Sequence, residues 1–253
     1  MYDPVIARWM SADPIAEKYY PLSPYSYCAG NPVIVVDPNG RAIFINRKGK
    51  EIGNDGIDDG KVFVLKTTQR KFEGGASGAG LSRRELRETI KFIKKNSGNS
   101  EAFTKDCIAY TNSIEIEGDA QIRQEMVDIV KADNGKGGTD SAQNREYGGT
   151  IQNGKVVAAP PGEVADPTKD KEASIRLPGG FVSFHSHPSG TNDSTVPPVG
   201  FVQPPSQKDI ETSGELTHYV FGRGDRNVYV YNNKGVQAVI PMRHFAHPKT
   251  RKR

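Results

Sequence analysis

Residues 180–190 read Gly-Phe-Val-Ser-Phe-His-Ser-His-Pro-Ser-Gly, and this stretch decides how the chain is read. Phe181, Val182 and Phe184 form a short apolar run, which suits a buried strand. In a strand, residues i and i+2 point to the same face, roughly 6.5–7 Å apart. His185 and His187 therefore present two imidazoles side by side, as a pair that grips one metal ion would. Burying both rings without partners would be costly. Farther on, Ser206-Gln-Lys-Asp209 opens a predicted short helix over 206–213. A serine with an acid three residues later is a helix-capping motif in its own right. The same cap would aim Asp209 at the histidines as a third ligand. Two His and one carboxylate leave a fourth position on zinc for water, as catalytic rather than structural sites do. If that assignment fails, Asp193 is the next candidate ligand.

Upstream, Arg145-Glu146-Tyr147-Gly148-Gly149-Thr150-Ile151 reads as another strand. An acid at a strand's start is ordinarily an exposed edge charge. Here two glycines follow it, and they allow close backbone approach. The order is then Glu on a strand, His-Ser-His-Pro-Ser-Gly, and Ser-x-x-Asp on a helix. This order resembles the JAB/MPN (JAMM) metallopeptidase family over roughly residues 118–240. The resemblance implies an α+β fold, a cytidine-deaminase-like mixed sheet flanked by helices. Carried over by matching position, it implies that His185, His187 and Asp209 bind Zn2+. It also implies that Glu146 is the general base and that Ser206 steadies the oxyanion. The expected reaction is hydrolysis of a peptide or isopeptide bond in a protein or peptide substrate. One departure is the gap of 18 residues between His187 and Ser206, much longer than the family usually has. The extra residues, around 191–203, read as a Pro-rich insertion over the site, acting as a lid or substrate-selecting loop.

Residues 1–40 read unlike the rest. They carry Tyr2-Asp3-Pro4, Arg8-Trp9, Asp13-Pro14, Ser23-Pro24-Tyr25, Asn31-Pro32 and Asp37-Pro38-Asn39-Gly40. Such dipeptides start turns. Their order resembles the closing segment of the Rhs/YD-repeat core, a β-cage that encloses a C-terminal toxin in bacterial polymorphic toxins. Ala7 departs from it, because the family usually has Gly before the Arg-aromatic pair. The resemblance implies the tail of a longer, secreted or translocated effector whose payload begins soon after Gly40. It further implies a cognate immunity protein that blocks the site.

Between and after these motifs the expected organisation is a small β/linker region at 41–80, the catalytic domain at 81–245 and a basic disordered tail at 246–253. Strands are expected at 42–46 and 61–65, and a mobile Gly/Ser-rich stretch at 71–80. A helix should follow the capping box of Ser82 and Glu85, and another should begin near Asp119. Later strands are expected at 145–151, 154–159, 171–176, 180–187, 217–222, 227–231 and 236–240.

Composition limits the alternatives. The 253 residues suffice for one sizeable domain or two small ones. A mean hydropathy of −0.60 with 27 Gly and 17 Pro favours short elements and loops over a helical bundle. The net charge of +4 is too weak to argue for nucleic acid. The basic helix face (Arg83, Arg84, Arg87, Lys91, Lys94, Lys95) and the cationic end keep a nucleic-acid-targeting toxin as a second reading. A catalytically inactive, metal-free MPN-like binding module is a third. Cys28 and Cys107 lie far apart and indicate no disulfide framework. No membrane span and no cleavable signal peptide are expected.

Overall fold

The computed structural model describes residues 42–250, apart from 69, 79, 170 and 171, together with the strand segments at 2–3 and 8–9. The chain forms two compact units, Met1–Gly40 and Arg41–Arg253. In the first, β1 (Tyr2–Asp3) pairs antiparallel with β2 (Arg8–Trp9), Tyr2 opposite Trp9. The remainder of residues 1–40, on which the expected resemblance to the Rhs/YD-repeat core rests, lies outside the described residues.

The second unit opens with the two expected apolar runs, as β3 (Ile43–Ile45) and, after β4 (Glu51–Asn54), β5 (Val62–Leu65). The two runs are parallel neighbours within a small sheet. β4 folds back antiparallel on β3, and β5 then joins β3 in parallel. The crossover between β4 and β5 is held by Asp55, which accepts from the Ile57 N–H at 2.8 Å and the Tyr110 hydroxyl at 2.6 Å. α1 (Arg83–Asn96) starts at the capping box of Ser82 and Glu85, as its sequence predicts. Its Ile93 sinks into an aromatic core with Phe44, Phe63 and Phe103.

α2 (Ile108–Thr111) and β6 (Ser113–Ile116) add to the expected elements, being one helical turn and four residues of strand. β6 pairs antiparallel with β5, giving a four-stranded sheet in the order β4-β3-β5-β6. Residues 41–80 are therefore not a small region separate from the rest of this unit. They share a sheet with residues 113–116, and Ile45, Val62 and Val64 share a core with Phe184 and Tyr219.

α3 (Ala120–Val130) is capped by Asp119, whose carboxylate accepts from the Ile122 N–H. The chain continues through β7 (Gly148–Gln152), β8 (Lys155–Ala158) and β9 (Val182–His187). A two-residue ribbon, β10 (Thr191–Asn192) and β11 (Val199–Gly200), precedes α4 (Gln207–Thr212). The last strands are β12 (His218–Gly222), β13 (Asn227–Asn232) and β14 (Gly235–Pro241). The six-stranded sheet has the order β14-β13-β12-β9-β7-β8, and its β9–β12 pair is parallel. The architecture is α+β with mixed sheets.

Three expectations are corrected. The strand at 171–176 does not form over its described residues, where the Ser174 carbonyl instead lies against Gly162 so closely that a Cβ there would sit 2.2 Å from it. The stretch 71–80 is pinned rather than loose. Gly78 bridges to Val236, Gly75 bridges to Ser206, and Ala76 is buried. The tail is ordered to Lys249, which accepts from the Glu51 N–H and donates to the Gly49 carbonyl, while Ala246 is buried. Residues 251–253 of the expected tail lie outside the described residues.

Strand periodicity divides the six-stranded sheet into two faces. On one, Phe184, Tyr219, Phe221, Val228, Val230 and Ile240 pack against Met126 of α3 and against the four-stranded sheet. Each such side chain, fully buried, contributes about 1.5–3 kcal/mol. The other face carries Ser183, His185 and His187 on β9. Cross-strand register adds Gly148 and Thr150 on β7, His218 and Val220 on β12, and Tyr229 and Tyr231 on β13. α4 and the 72–76 segment cover part of this face through Ile210, Ala76 and Phe72.

Candidate metal centre

The two histidines are adjacent because they are two residues apart on one strand. Their ring centroids lie 5.2 Å apart, and both residues are buried. β7 runs antiparallel beside β9 with Gly148 opposite His185. A Cβ at Gly148 would stand 2.2 Å from the Phe184 carbonyl oxygen and 2.8 Å from the His185 Cα, so only glycine permits this approach. Carrying the register back two residues brings Glu146 opposite His187, and its Oε1 lies 3.9 Å from His187 Nε2. Glu146 is 3 % exposed, not the exposed edge charge that its position alone suggests.

Asp209 arrives from the other side. Ser206 caps α4: its Oγ accepts from the Asp209 N–H at 3.2 Å and donates to Asp209 Oδ2 at 2.9 Å. The Ser206 N–H also donates to Oδ2. The cap thus occupies Oδ2 and leaves Oδ1 turned to His185 Nε2 at 3.4 Å, with Oδ2 3.6 Å from His187 Nε2. The alternative ligand, Asp193, is exposed and accepts from the Thr191 hydroxyl.

The long loop after His187 has a role other than the expected lid. His187 Nδ1 lies 2.8 Å from the Val202 carbonyl oxygen, so Nδ1 carries the proton and Nε2 offers its lone pair. Metal-binding histidines almost always fix their tautomer this way. Gln203 holds the loop's end, donating to the Pro188 and Phe201 carbonyls and accepting from the Gly224 N–H. The loop's start is held by buried Asp133, whose carboxylate accepts from both the N–H and hydroxyl of Ser189 at 2.6 Å. The tip points away, with Val196 99 % exposed. A cavity of about 790 Å³ contains all five predicted residues, Glu146, His185, His187, Ser206 and Asp209. Its outer walls are residues 172–181 and 212–216, and none of 188–205 lines it.

Electrostatics follow from burial. Burial raises the Glu146 pKa, opposed by the two imidazoles. Burial alone would lower His187, but the Asp209 and Glu146 carboxylates outweigh it and hold that ring above the usual histidine value. Burial likewise pushes Asp209 up, and the imidazoles and the Ser206 N–H overcome it, holding Asp209 well below the carboxylate range.

The separations of 3.4–3.9 Å are too long for good N–H···O hydrogen bonds, which run about 2.7–3.2 Å. They suit a shared cation better. Ligands about 2.0–2.1 Å from a tetrahedral zinc stand about 3.3–3.4 Å from one another. The two His–Asp separations are near that value. Glu146, His185 and His187 also bring ligand atoms within 4.8 Å of one another, so this buried triad could hold a metal ion. Two carboxylates thus stand beside the rings: Glu146 completes the buried triad, and Asp209 approaches the two rings with different oxygens, Oδ1 towards His185 and Oδ2 towards His187.

Three polar residues of the sheet face also line the cavity, and the motifs do not single them out for the site. Ser183, two before His185, meets His218 Nδ1 at 2.7 Å, and His218 Nε2 meets the Ser213 carbonyl at 2.7 Å. Tyr231 stands on the next strand. Period two on β9 points to Ser183, but His218 and Tyr231 need the cross-strand register. Comparison with family models, with curated proteins and with solved structures gave no match, so the functional reading rests on these side chains.

Proposed function

We propose that the second unit is a zinc-dependent peptidase or isopeptidase of the JAB/MPN (JAMM) type, carried as the C-terminal toxin of an Rhs-type polymorphic protein. The observation that carries this reading is the convergence of three separated motifs on one buried cavity, with His–Asp separations of 3.4 and 3.6 Å. The helix α3 before the glutamate strand, and α4 between the parallel strands β9 and β12, agree with that fold. Among the described residues no helix is long and apolar enough to cross a membrane.

His185, His187 and Asp209 would hold the ion, and zinc in such a set polarises a carbonyl and activates water as a Lewis acid. Glu146 accepts the proton as the water oxygen bonds to the carbonyl carbon. It returns the proton to the amine nitrogen as the C–N bond breaks. Burial raises its pKa above the ordinary carboxylate value, which makes it a stronger base for the first transfer. Ser206, with its hydroxyl proton given to Asp209, positions that ligand. Its oxyanion role would require the hydroxyl to release Asp209. In this setting the upstream cage and an immunity protein that blocks the cavity are the expected partners.

Glu146→Gln should lower hydrolysis by about 10²–10⁴-fold while zinc content stays at about one per chain. Peptide hydrolysis and bound zinc, measured on the same preparation, test this. Loss of zinc would make Glu146 a ligand or a structural group. The exposed cations of α1, including Arg87, Lys91, Lys94 and Lys95, favour a second reading as a nucleic-acid-targeting toxin. Toxicity that survives His187→Ala, with binding that weakens steeply in salt, would favour that reading.

A further inference from the structure

The role expected of Ser206 lacks a proton to perform it, because the hydroxyl donates to Asp209. Another hydroxyl is available in the same cavity. Tyr231 on β13 stands opposite His218 on β12, and His218 meets Ser183 on β9. This row lies on the sheet face that carries His185 and His187. Tyr231 is 4 % exposed, lines the cavity, and has its ring centroid 5.7 Å from that of His218.

The other buried tyrosines, and the half-buried Tyr110, have partners for their hydroxyls. Tyr229, two residues earlier on the same face, donates to Asp225. Tyr110 donates to Asp55, and Tyr219 accepts from the Glu117 N–H. Among the described residues, no group hydrogen-bonds the Tyr231 hydroxyl. The hydroxyl is not sealed off from the cavity, so a ligand's acceptor can take the place of water there.

The neighbouring groups are less suited to donate. His218 has its Nε2 proton committed to the Ser213 carbonyl, and its Nδ1 faces Ser183. Lys208 reaches the cavity but is exposed, so water screens its charge. Burial holds Tyr231 well above the usual tyrosine pKa, and the nearby Asp209 and Glu146 charges add to this, so the phenol keeps its proton.

We propose that the Tyr231 hydroxyl donates a hydrogen bond to the scissile carbonyl oxygen of the substrate, the atom that gains negative charge as water adds. This makes Tyr231 a catalytic residue and rests on the hydrolase reading above. The bond strengthens as charge develops, so it acts on the rate of the chemical step more than on substrate binding.

The test uses the zinc-loaded full chain and a mixed-sequence peptide library, with cleavage sites read by mass spectrometry and kinetics followed on the best-cut peptide. Tyr231→Phe should cut the same bonds with kcat about 10²–10³-fold lower and KM within about threefold of wild type. Its zinc content should be unchanged. A kcat within about threefold of wild type, in a variant holding normal zinc, overturns the proposal. Loss of zinc from Tyr231→Phe also overturns it, by placing the phenol in the ion's binding rather than the reaction. Glu146→Gln separates the two readings. If wild type cleaves, Glu146→Gln does not and Tyr231→Phe matches wild type, only the tyrosine's role falls. If wild type and Glu146→Gln give identical peptides at identical rates, the hydrolase reading fails and this inference with it.

Discussion

In the four-stranded sheet, buried polar groups find one another. The Tyr110 hydroxyl donates to Asp55 at 2.6 Å, the Asn112 amide donates to Thr89 at 2.8 Å, and Phe44, Phe63 and Phe103 pack around Tyr110. On the site face of the six-stranded sheet, two imidazoles and two carboxylates are held in the interior with 3.4–3.9 Å between them. Apart from the Ser113 hydroxyl on β6, which is buried without a partner, the first region pairs its polar groups internally. The second is held open by groups around it: the Ser206 cap, the Val202 carbonyl and the glycine under His185. A core that satisfies itself contributes stability. A core left unsatisfied by such specific devices is arranged for something that binds.

The largest expected effect lies in the self-satisfied region. Phe44→Ala should cost about 3–5 kcal/mol in urea unfolding, equally with zinc and with a chelator. A cost that depends on zinc would erase the distinction between the two sheets. Next, zinc at a hundred times its Kd should stabilise wild type by about 2.7 kcal/mol. His187→Ala should lose that increment, in addition to a cost that persists in chelator, because it removes a buried ring that bonds the Val202 carbonyl and offsets the Asp209 charge. Unfolding curves that ignore zinc in wild type would contradict the contrast. A matched pair of hydroxyl deletions sharpens it further. Tyr110→Phe strands the buried Asp55 carboxylate and should cost about 1–3 kcal/mol, whereas Tyr231→Phe should be neutral or stabilising.

The smallest effect is a pH dependence. Metal binding needs neutral imidazoles. In the metal-free protein His187 keeps its proton to higher pH than an ordinary histidine, which titrates at about 6.5. Protons therefore compete with zinc as pH falls through that raised value, starting above about 6.5. Affinity should drop by about tenfold per pH unit below it, for each proton displaced. Zinc titrations between pH 8 and about pH 5 measure this. A flat profile would place His187 outside the ligand set.

Much of the site is legible in the sequence because its information is local. Period two puts His185 and His187 on one face, a four-residue cap aims Asp209, and a glycine pair follows Glu146. The rest depends on register between distant segments. Nothing near Tyr231 shows that it will share a face with residues nearly fifty positions earlier, because that needs β13 to lie on β12 and β12 on β9. The stretch 71–80 reads as mobile from its Gly/Ser content. In the fold its backbone is packed tightly: a Cβ at Gly235 would stand 2.1 Å from the Ser77 carbonyl oxygen. The Pro-rich loop reads as a device that acts through its tip, and it acts through its base, where the Val202 carbonyl holds the His187 tautomer. β6 interleaves Ser113 and Glu115 with two isoleucines and lacks the unbroken apolar run that marks β5.

That loop has a practical consequence. Its two ends are clamped by Gln203 and by Asp133, and Val196 between them stands almost wholly in solvent. A fluorophore or an affinity handle attached there would ride on the protein without crowding the cleft. Under the proposed effector role, such a label would let entry into a recipient cell be followed while the cavity stays free.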